Sequence, residues 1–128
     1  MKTNIPRLSE AQFEIMDVLW EKGEATVSDV LDSINASRKE TLQRTTILVQ
    51  LNRLEEKGWI NHRQEGKAFY YYPCREREAA IAEITENFKE RIFGGSAAEL
   101  VKCLFHSKNI TKNEVSELRK LLGQKGGK

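Results

Sequence analysis

The stretch that decides the fold is TLQRTTILVQLNRLEEKGWI, residues 41–60. At about 100° per residue, a helix through this stretch places Ile47, Leu51 and Leu54 together on one apolar side. The other side is polar except for Val49, which lies at its centre. A valine in the middle of a polar helix face raises the question of what that face contacts.

Capping signals in front of this stretch predict two earlier helices. Ser9 followed by Gln12 is the capping-box pattern that begins a helix, and Gly23 supplies a plausible end. Thr26 with Asp29 repeats the pattern at the start of a second, shorter helix. The quoted stretch then supplies the third helix.

The periodicity changes at the end of the third helix. The runs WINHRQ and KAFYYYP are rich in strand-forming residues and flank a turn that contains Gly66. Pro73 ends the second run because proline cannot donate to a sheet. Four hairpin side chains are assigned mostly to packing against the helices: Trp59, Ile60, Phe69 and Tyr71. Three short helices followed directly by a hairpin predict a winged helix-turn-helix DNA-binding domain in residues 1–73.

The rest of the chain is predicted to be helical, so the fold class is mostly α with a small β-hairpin. Residues 74–122 contain a break at Gly94-Gly95 and apolar stripes at helical spacing, and residues 123–128 read as a flexible tail. About fifty residues with so few apolar positions are close to the size at which a lone core is marginal. We therefore interpret them as a dimerisation region that buries its stripes against a second copy. The predicted dimerisation residues are Ile81, Ile84, Phe88, Ile92, Leu100, Leu104, Val115, Leu118 and Leu122.

The composition is that of a globular chain, with 31% charged and 39% apolar residues. No apolar run approaches the roughly 20 residues that a membrane-spanning helix needs, so membrane insertion is not expected. The N-terminal segment has no apolar signal core, so export is not expected. The two cysteines form no disulfide framework and suit a reducing cytoplasm.

The charge is unevenly distributed although the net charge is only +2. Residues 1–37 hold three basic and seven acidic side chains, whereas residues 38–77 hold nine basic and five acidic ones. A local basic excess over the third helix and the hairpin indicates a footprint for a polyanion.

The outer face of the third helix carries side chains suited to base edges and phosphates. Arginine forks onto guanine, glutamine onto adenine, and a methyl-bearing side chain contacts the thymine methyl group, which would account for Val49. A basic wing would rest on the DNA backbone. The alternatives are an ordinary exposed valine and a solvated charged turn. The predicted DNA-binding residues are Arg44, Thr45, Thr46, Val49, Gln50, Arg53, Arg63 and Lys67.

Other classes of site are weakly signalled. Cys103 and His106 are three residues apart and supply at most half of a metal site, although a small metal or redox protein would depend on that pair. No pairing of a nucleophile with a base and no glycine-rich phosphate loop stands out. We expect no enzyme activity, no cofactor and no metal.

Four segments resemble the penicillinase repressors, the BlaI/MecI family. They are LSEAQFEIMDVLWEKGEATVSDV, TTILVQLNRLEEKGWI, EGKAFYYYP and FGGSAAELV, in order, and the resemblance runs from about Leu8 to Leu122. It implies a winged-helix repressor that dimerises through its C-terminal helices. Such repressors bind inverted-repeat operators ahead of β-lactamase or related genes. They are commonly released when a membrane-linked sensor system causes cleavage within the dimerisation region, which makes a sensor-linked protease an implied partner.

The chain departs from the family pattern at two places. The family often has threonine where this chain has Val49, which changes the expected base preference. Staphylococcal members are cut at an Asn-Phe bond, and the corresponding position here is Cys103-Leu104. The chain also lacks the paired C-terminal cysteines of the copper-responsive members.

Two further interpretations remain open at this level. A winged-helix regulator of the same fold could sense a small ligand between its helices. A winged helix could instead serve as a protein-interaction module in a larger assembly. Because binding that neutralises phosphates weakens steeply with salt, a salt titration separates DNA binding from protein binding.

Overall fold

The computed structural model describes residues 7–126, which form six helices and a two-stranded antiparallel sheet. This confirms the expected mostly α-helical chain with a small β-hairpin. The chain divides into two compact units, one ending at Ile84 and the other beginning at Thr85. The elements are α1 Glu10–Lys22, α2 Val27–Asn35, α3 Arg44–Glu56, β1 Ile60–Glu65, β2 Ala68–Pro73, α4 Arg77–Phe93, α5 Ala97–Phe105 and α6 Lys112–Gly126.

The first two helices begin at the capping boxes expected from the sequence. The Ser9 hydroxyl accepts from the Gln12 backbone N–H at 3.2 Å, and the Thr26 hydroxyl accepts from that of Asp29 at 3.1 Å. The residue three positions on returns a hydrogen bond to the cap in both cases. Gly23 ends α1 at φ 86°, a conformation that costs a residue with a Cβ more than it costs glycine.

The hairpin is joined to the helices by a short extra strand contact. β1 and β2 pair from Ile60 opposite Pro73 to Glu65 opposite Ala68. Ala25, between α1 and α2, also pairs with Tyr71, with N···O distances of 2.9 and 2.8 Å. Sequence periodicity predicted the hairpin but not this contact, because a contact of one residue is too short to leave a periodic signal.

The core of the first unit is built from three helices and the base of the hairpin. Trp59, Ile60 and Tyr71 are buried there as predicted. Phe69 is 43% exposed because it lies farther along the hairpin, where its ring packs at a tilt against His62 with the ring centres 5.0 Å apart. The buried hydrophobic residues are Ile15, Met16, Leu19, Ala25, Val27, Val30, Ile34, Ile47, Leu51, Leu54, Trp59, Ile60, Tyr71 and Ala80.

The first unit continues beyond the expected domain end at residue 73. The Trp20 indole N–H donates to the Arg75 carbonyl at 2.8 Å, and Ala80 on α4 is fully buried. Ile84 packs against the same core, although it was predicted to serve dimerisation. The start of α4 therefore completes the hydrophobic core of the winged helix.

The second unit contains the end of α4 with α5 and α6. Ser96 caps α5, and Thr111 with Glu114 forms the capping pair in front of α6. α6 runs to Gly126, through part of the segment expected to be a flexible tail, while residues 127 and 128 lie outside the described part of the chain. Within residues 7–126, no helix is long and apolar enough to cross a membrane.

Side chains of the second unit are poorly covered in the single chain. Between residues 85 and 124, the structure shows no residue in the buried class. Several large apolar side chains are substantially exposed, and Leu104 and Cys103 of α5 are among the exposed residues. The exposed large hydrophobic residues of this unit are Phe88, Ile92, Leu104, Phe105, Leu121 and Leu122.

Candidate nucleic-acid interface

The orientation of α3 is fixed by its inner apolar stripe. Ile47, Leu51 and Leu54 are at most 1% exposed and belong to the core. Leu48, at the edge of the stripe, is 37% exposed, and Val49, on the opposite side, is 45% exposed. The rotation of the helix is therefore the one predicted from the sequence.

The outer face of α3 presents mixed chemistry to the surroundings. Thr45, Thr46 and Arg53 are exposed beside Val49, and Gln50 lies at the margin, partly buried. The face combines hydroxyl groups, a branched apolar side chain and a guanidinium group. These are the groups that contact base edges, thymine methyls and phosphates.

Asn52 also lies on this outer face, although it was missed in reading the sequence. It is exposed and follows Val49 by three positions, so the two side chains are neighbours on the helix. Asparagine forks onto adenine in the major groove. The helical wheel contained this signal, because Asn52 falls about 60° from Val49 at ~100° per residue.

The N-terminus of α3 has neither a capping side chain nor an acidic residue to balance its unpaired backbone N–H groups. Gln43 precedes the helix without a side-chain capping bond, and the first turn contains no acidic residue. Arg44 stands there and donates to the Ser28 hydroxyl at 2.7 Å, which connects the starts of α2 and α3. Uncapped N–H groups and the positive end of the helix dipole favour an anion at this end of α3.

The wing carries an arginine that is already paired within the protein. The Arg63 guanidinium forks onto Glu24, with Nη2···Oε1 at 2.6 Å and Nε···Oε2 at 3.0 Å, and lies 4.6 Å from the centre of the Tyr70 ring. Its hydrogen bonds hold the pKa of Glu24 below its usual range. The pair is present at neutral pH and is lost as the pH falls through that lowered pKa. A role for Arg63 on DNA would require the fork to open.

Lys67 is the free cation at the tip of the wing. It occupies the two-residue turn between β1 and β2 together with Gly66, which has φ 62°. Lys67 is exposed and makes no ion pair or hydrogen bond within residues 7–126. Its ammonium group is thus available to a phosphate.

The wing is also fixed to α3 directly. The His62 ring lies with Nδ1 at 2.7 Å from the Glu55 carboxylate, and it packs against Tyr71 with the ring centres 5.5 Å apart. Glu55 belongs to the last turn of α3. A wing and a helix joined in this way form one surface.

No metal centre accompanies this surface in the part of the chain that the structure describes. No group of three or more histidine, cysteine or carboxylate residues within it is placed to hold a metal ion. Cys74 and Cys103 are free and exposed.

The family model for the penicillinase repressors matches residues 8–124 of the chain. The chain belongs to the penicillinase repressor family. It is accordingly a winged-helix DNA-binding transcriptional repressor, and the family is one of regulators, not of enzymes.

Relatives of the chain align over nearly its whole length. The penicillinase repressor of Bacillus licheniformis is 29% identical over 118 residues, covering 92% of this chain and 91% of its own. The methicillin resistance regulatory protein MecI of Mammaliicoccus sciuri is 27% identical over 118 residues, with 92% and 94% covered. The similarity to these relatives therefore extends over both units of the chain.

A solved structure of this family matches the winged-helix part. The solution structure of the monomeric form of Bacillus licheniformis BlaI, in complex with the blaP half-operator, is 32% identical. It covers 61% of this chain and 92% of its own, with a TM-score of 0.50.

The different partners of Arg53 and Arg63 lead to a testable difference between them. The Arg53 side chain makes no ion pair or hydrogen bond within the described residues, whereas that of Arg63 is neutralised by Glu24. We expect Arg53→Ala to flatten the slope of log affinity against log salt by about one if it contacts a phosphate. If Arg53 instead forks onto guanine, the substitution relaxes the preference at one base pair. We expect Arg63→Ala to change the slope less.

The measurement is a salt titration of operator binding with each variant. Glu24→Gln is the matched variant, since it frees Arg63 without removing it, and it should raise the affinity. A slope change of about one for Arg63→Ala would contradict the assignment and would mean that the wing pair opens on DNA.

Proposed function

We propose that the chain is a cytoplasmic homodimeric repressor that binds inverted-repeat operators of β-lactamase or related resistance genes. The observation that carries this proposal is the outer face of α3, which groups base-reading and phosphate-binding side chains beside a fixed wing. The names of the relatives support the choice of target genes, since they include a penicillinase repressor and a methicillin resistance regulator.

Sequence reading is assigned to the exposed centre of α3. Val49 is surrounded there by Thr45, Thr46, Asn52 and Arg53, whose polar groups are able to hydrogen-bond with bases or phosphates. A valine among polar groups is suited to the one apolar feature of the major groove, which is the thymine methyl group. This assignment gives the exposed valine a function.

Substitution of Val49 tests base reading directly. We expect Val49→Ser to lose about 1 kcal/mol at one base pair of each half-site, within the range of single-base effects. The measurement is a binding-site selection from random DNA with the native protein and the variant. Leu48→Ser is a control, because Leu48 is also exposed but lies at the edge of the core stripe. An unchanged selection profile for Val49→Ser would leave this residue an ordinary surface valine.

Dimerisation is assigned to the second unit. Between residues 85 and 124 it buries no residue in the single chain, and Phe88 and Ile92 on α4 are 47% and 58% exposed. Apolar side chains left in water at this density indicate a surface that another chain covers. The predicted dimerisation residues from Phe88 onward all belong to this unit, while Ile81 and Ile84 precede the division of the chain.

Removal of the second unit is expected to abolish tight operator binding. A chain ending at Ile84 keeps the winged-helix core, including Ala80, and should be monomeric. Two half-sites lie about 34–36 Å apart and need a fixed two-fold partner, so affinity should fall by roughly 10²- to 10⁴-fold. Sedimentation and operator titration measure both effects.

A full-length variant controls for the truncation. Phe88→Asp combined with Ile92→Asp should give the same monomer, whereas Ala82→Asp on an exposed position of α4 should not. A truncated chain that sediments as a dimer and binds equally well would assign another role to the second unit.

Release from DNA is assigned to cleavage near Cys103-Leu104. This bond lies in the last turns of α5, so the helix must open locally before a protease can accept it. Both residues are exposed in the single chain, Leu104 to 46%. The local sequence is Cys-Leu, which requires a protease of different specificity from one that cuts Asn-Phe.

Induction of the native host with a β-lactam tests this assignment. We expect the intact chain to disappear as the target gene is expressed, with a fragment ending near Cys103, because a cut separates the dimerisation surface from the winged helix. Mass spectrometry of the repressor measures the fragment. Expression of the target gene while the chain stays intact would exclude cleavage and leave DNA binding unaffected.

A further inference from the structure

Gln12 on α1 connects the buried core to the DNA-facing helix. It is 4% exposed, and among the described residues it is the one polar or charged residue in the buried class. Its amide N–H donates to the Gln50 Oε1 at 3.0 Å, across 38 positions of sequence. Its own Oε1 accepts from the Ser9 backbone N–H at 3.1 Å and from the Lys57 ammonium group at 2.9 Å.

These partners fix the orientation of both glutamine amides. A backbone N–H and an ammonium group are donors with nothing to accept, so the oxygen of Gln12 must face Ser9 and Lys57. The nitrogen of Gln12 must then face Gln50, and only the oxygen of Gln50 is able to accept from it. The usual ambiguity between the oxygen and nitrogen of an amide is removed by chemistry.

The consequence is that Gln50 turns its oxygen inward. Its Nε2 has no hydrogen-bond partner within residues 7–126, and the side chain lies at the margin of the outer face of α3, one turn after Thr46. A free glutamine forks onto adenine by accepting from N6 and donating to N7. Gln50 instead presents donors, which match the acceptors of guanine or the O4 of thymine.

We propose that Gln12 is a specificity-determining positioning residue that holds Gln50 as a hydrogen-bond donor toward the DNA. This rests on the proposed function, in which α3 reads the operator. Gln12 itself touches no base. It acts through the polarity of the amide that it holds.

The exchange Gln12→Glu tests the proposal with almost no change in shape. A carboxylate still accepts from Ser9 and Lys57, so the capping box is kept. It has no N–H for Gln50, which must then rotate its amide and donate inward, leaving its oxygen outward. We expect the preference at one base pair of each half-site to move from an acceptor-bearing base toward cytosine or adenine, by about fivefold or more.

The measurement is a binding-site selection with the full-length protein, repeated in the Gln50→Ala background. Gln50→Ala should remove the preference at that base pair, and adding Gln12→Glu to it should then change nothing further. Gln12→Met, which removes the partner of Gln50 altogether, should relax the preference at the same base pair. Urea unfolding confirms that each variant is folded before its selection is compared.

The outcomes separate this proposal from the function on which it rests. If the native protein selects no operator, DNA reading by α3 itself has failed. If the native protein selects an operator and Gln50→Ala alters it, while Gln12→Glu and Gln12→Met leave the profile unchanged, the positioning role is excluded. If Gln50→Ala leaves the selected operator unchanged, the positioning role of Gln12 is excluded as well.

Discussion

α3 buries Ile47, Leu51 and Leu54 against the rest of the first unit, and the direction in which each side chain of α3 points follows from this packing. A helix is rigid about its own axis, so fixing one stripe in the core fixes the direction of all other side chains. A rotation by a single position would bury Leu48, Asn52 and Glu55 in place of Ile47, Leu51 and Leu54, which would expose part of the core. The cost of exposing such side chains, about 1.5–3 kcal/mol each, makes the outward direction of Val49 a consequence of core packing.

Polar contacts refine what the apolar stripe determines. The basic excess in residues 38–77 suggests a broad cationic surface, but Arg38 pairs with Glu14 at 2.8 Å and Arg63 pairs with Glu24 at 2.6 Å. These arginines are exposed, and such pairs add little to stability. Their effect is on availability, since a paired guanidinium must lose its partner before it contacts a phosphate. The cations free to bind DNA are therefore fewer than the sequence contains, and Arg53 and Lys67 are among them.

Whether a contact was predictable from the sequence depends on how far apart its two residues lie along the chain. Capping boxes, glycine ends and the turn at Gly66 involve neighbours along the chain, and each was predicted at its correct place. Other contacts join residues far apart along the chain, such as Gln12 with Gln50, which orients an amide of α3, and Ala25 with Tyr71, which joins the hairpin to the helices. A single pair of polar residues leaves no periodicity, so only the folded structure reveals it. The exposure of Phe69 belongs to this class, because alternation in a strand does not tell how far the core extends.

The contrast between the two units bears on how repression is controlled. The first unit has a complete core, whereas residues 85–124 bury no side chain in the single chain and need a partner to remove their apolar groups from water. On the proposed dimer, operator affinity comes from holding two α3 helices at a fixed spacing, which multiplies two weak contacts. A change confined to the second unit then lowers affinity while α3, the wing and Gln50 keep their geometry. The surface that reads the operator and the surface that responds to a signal are thus free to change independently.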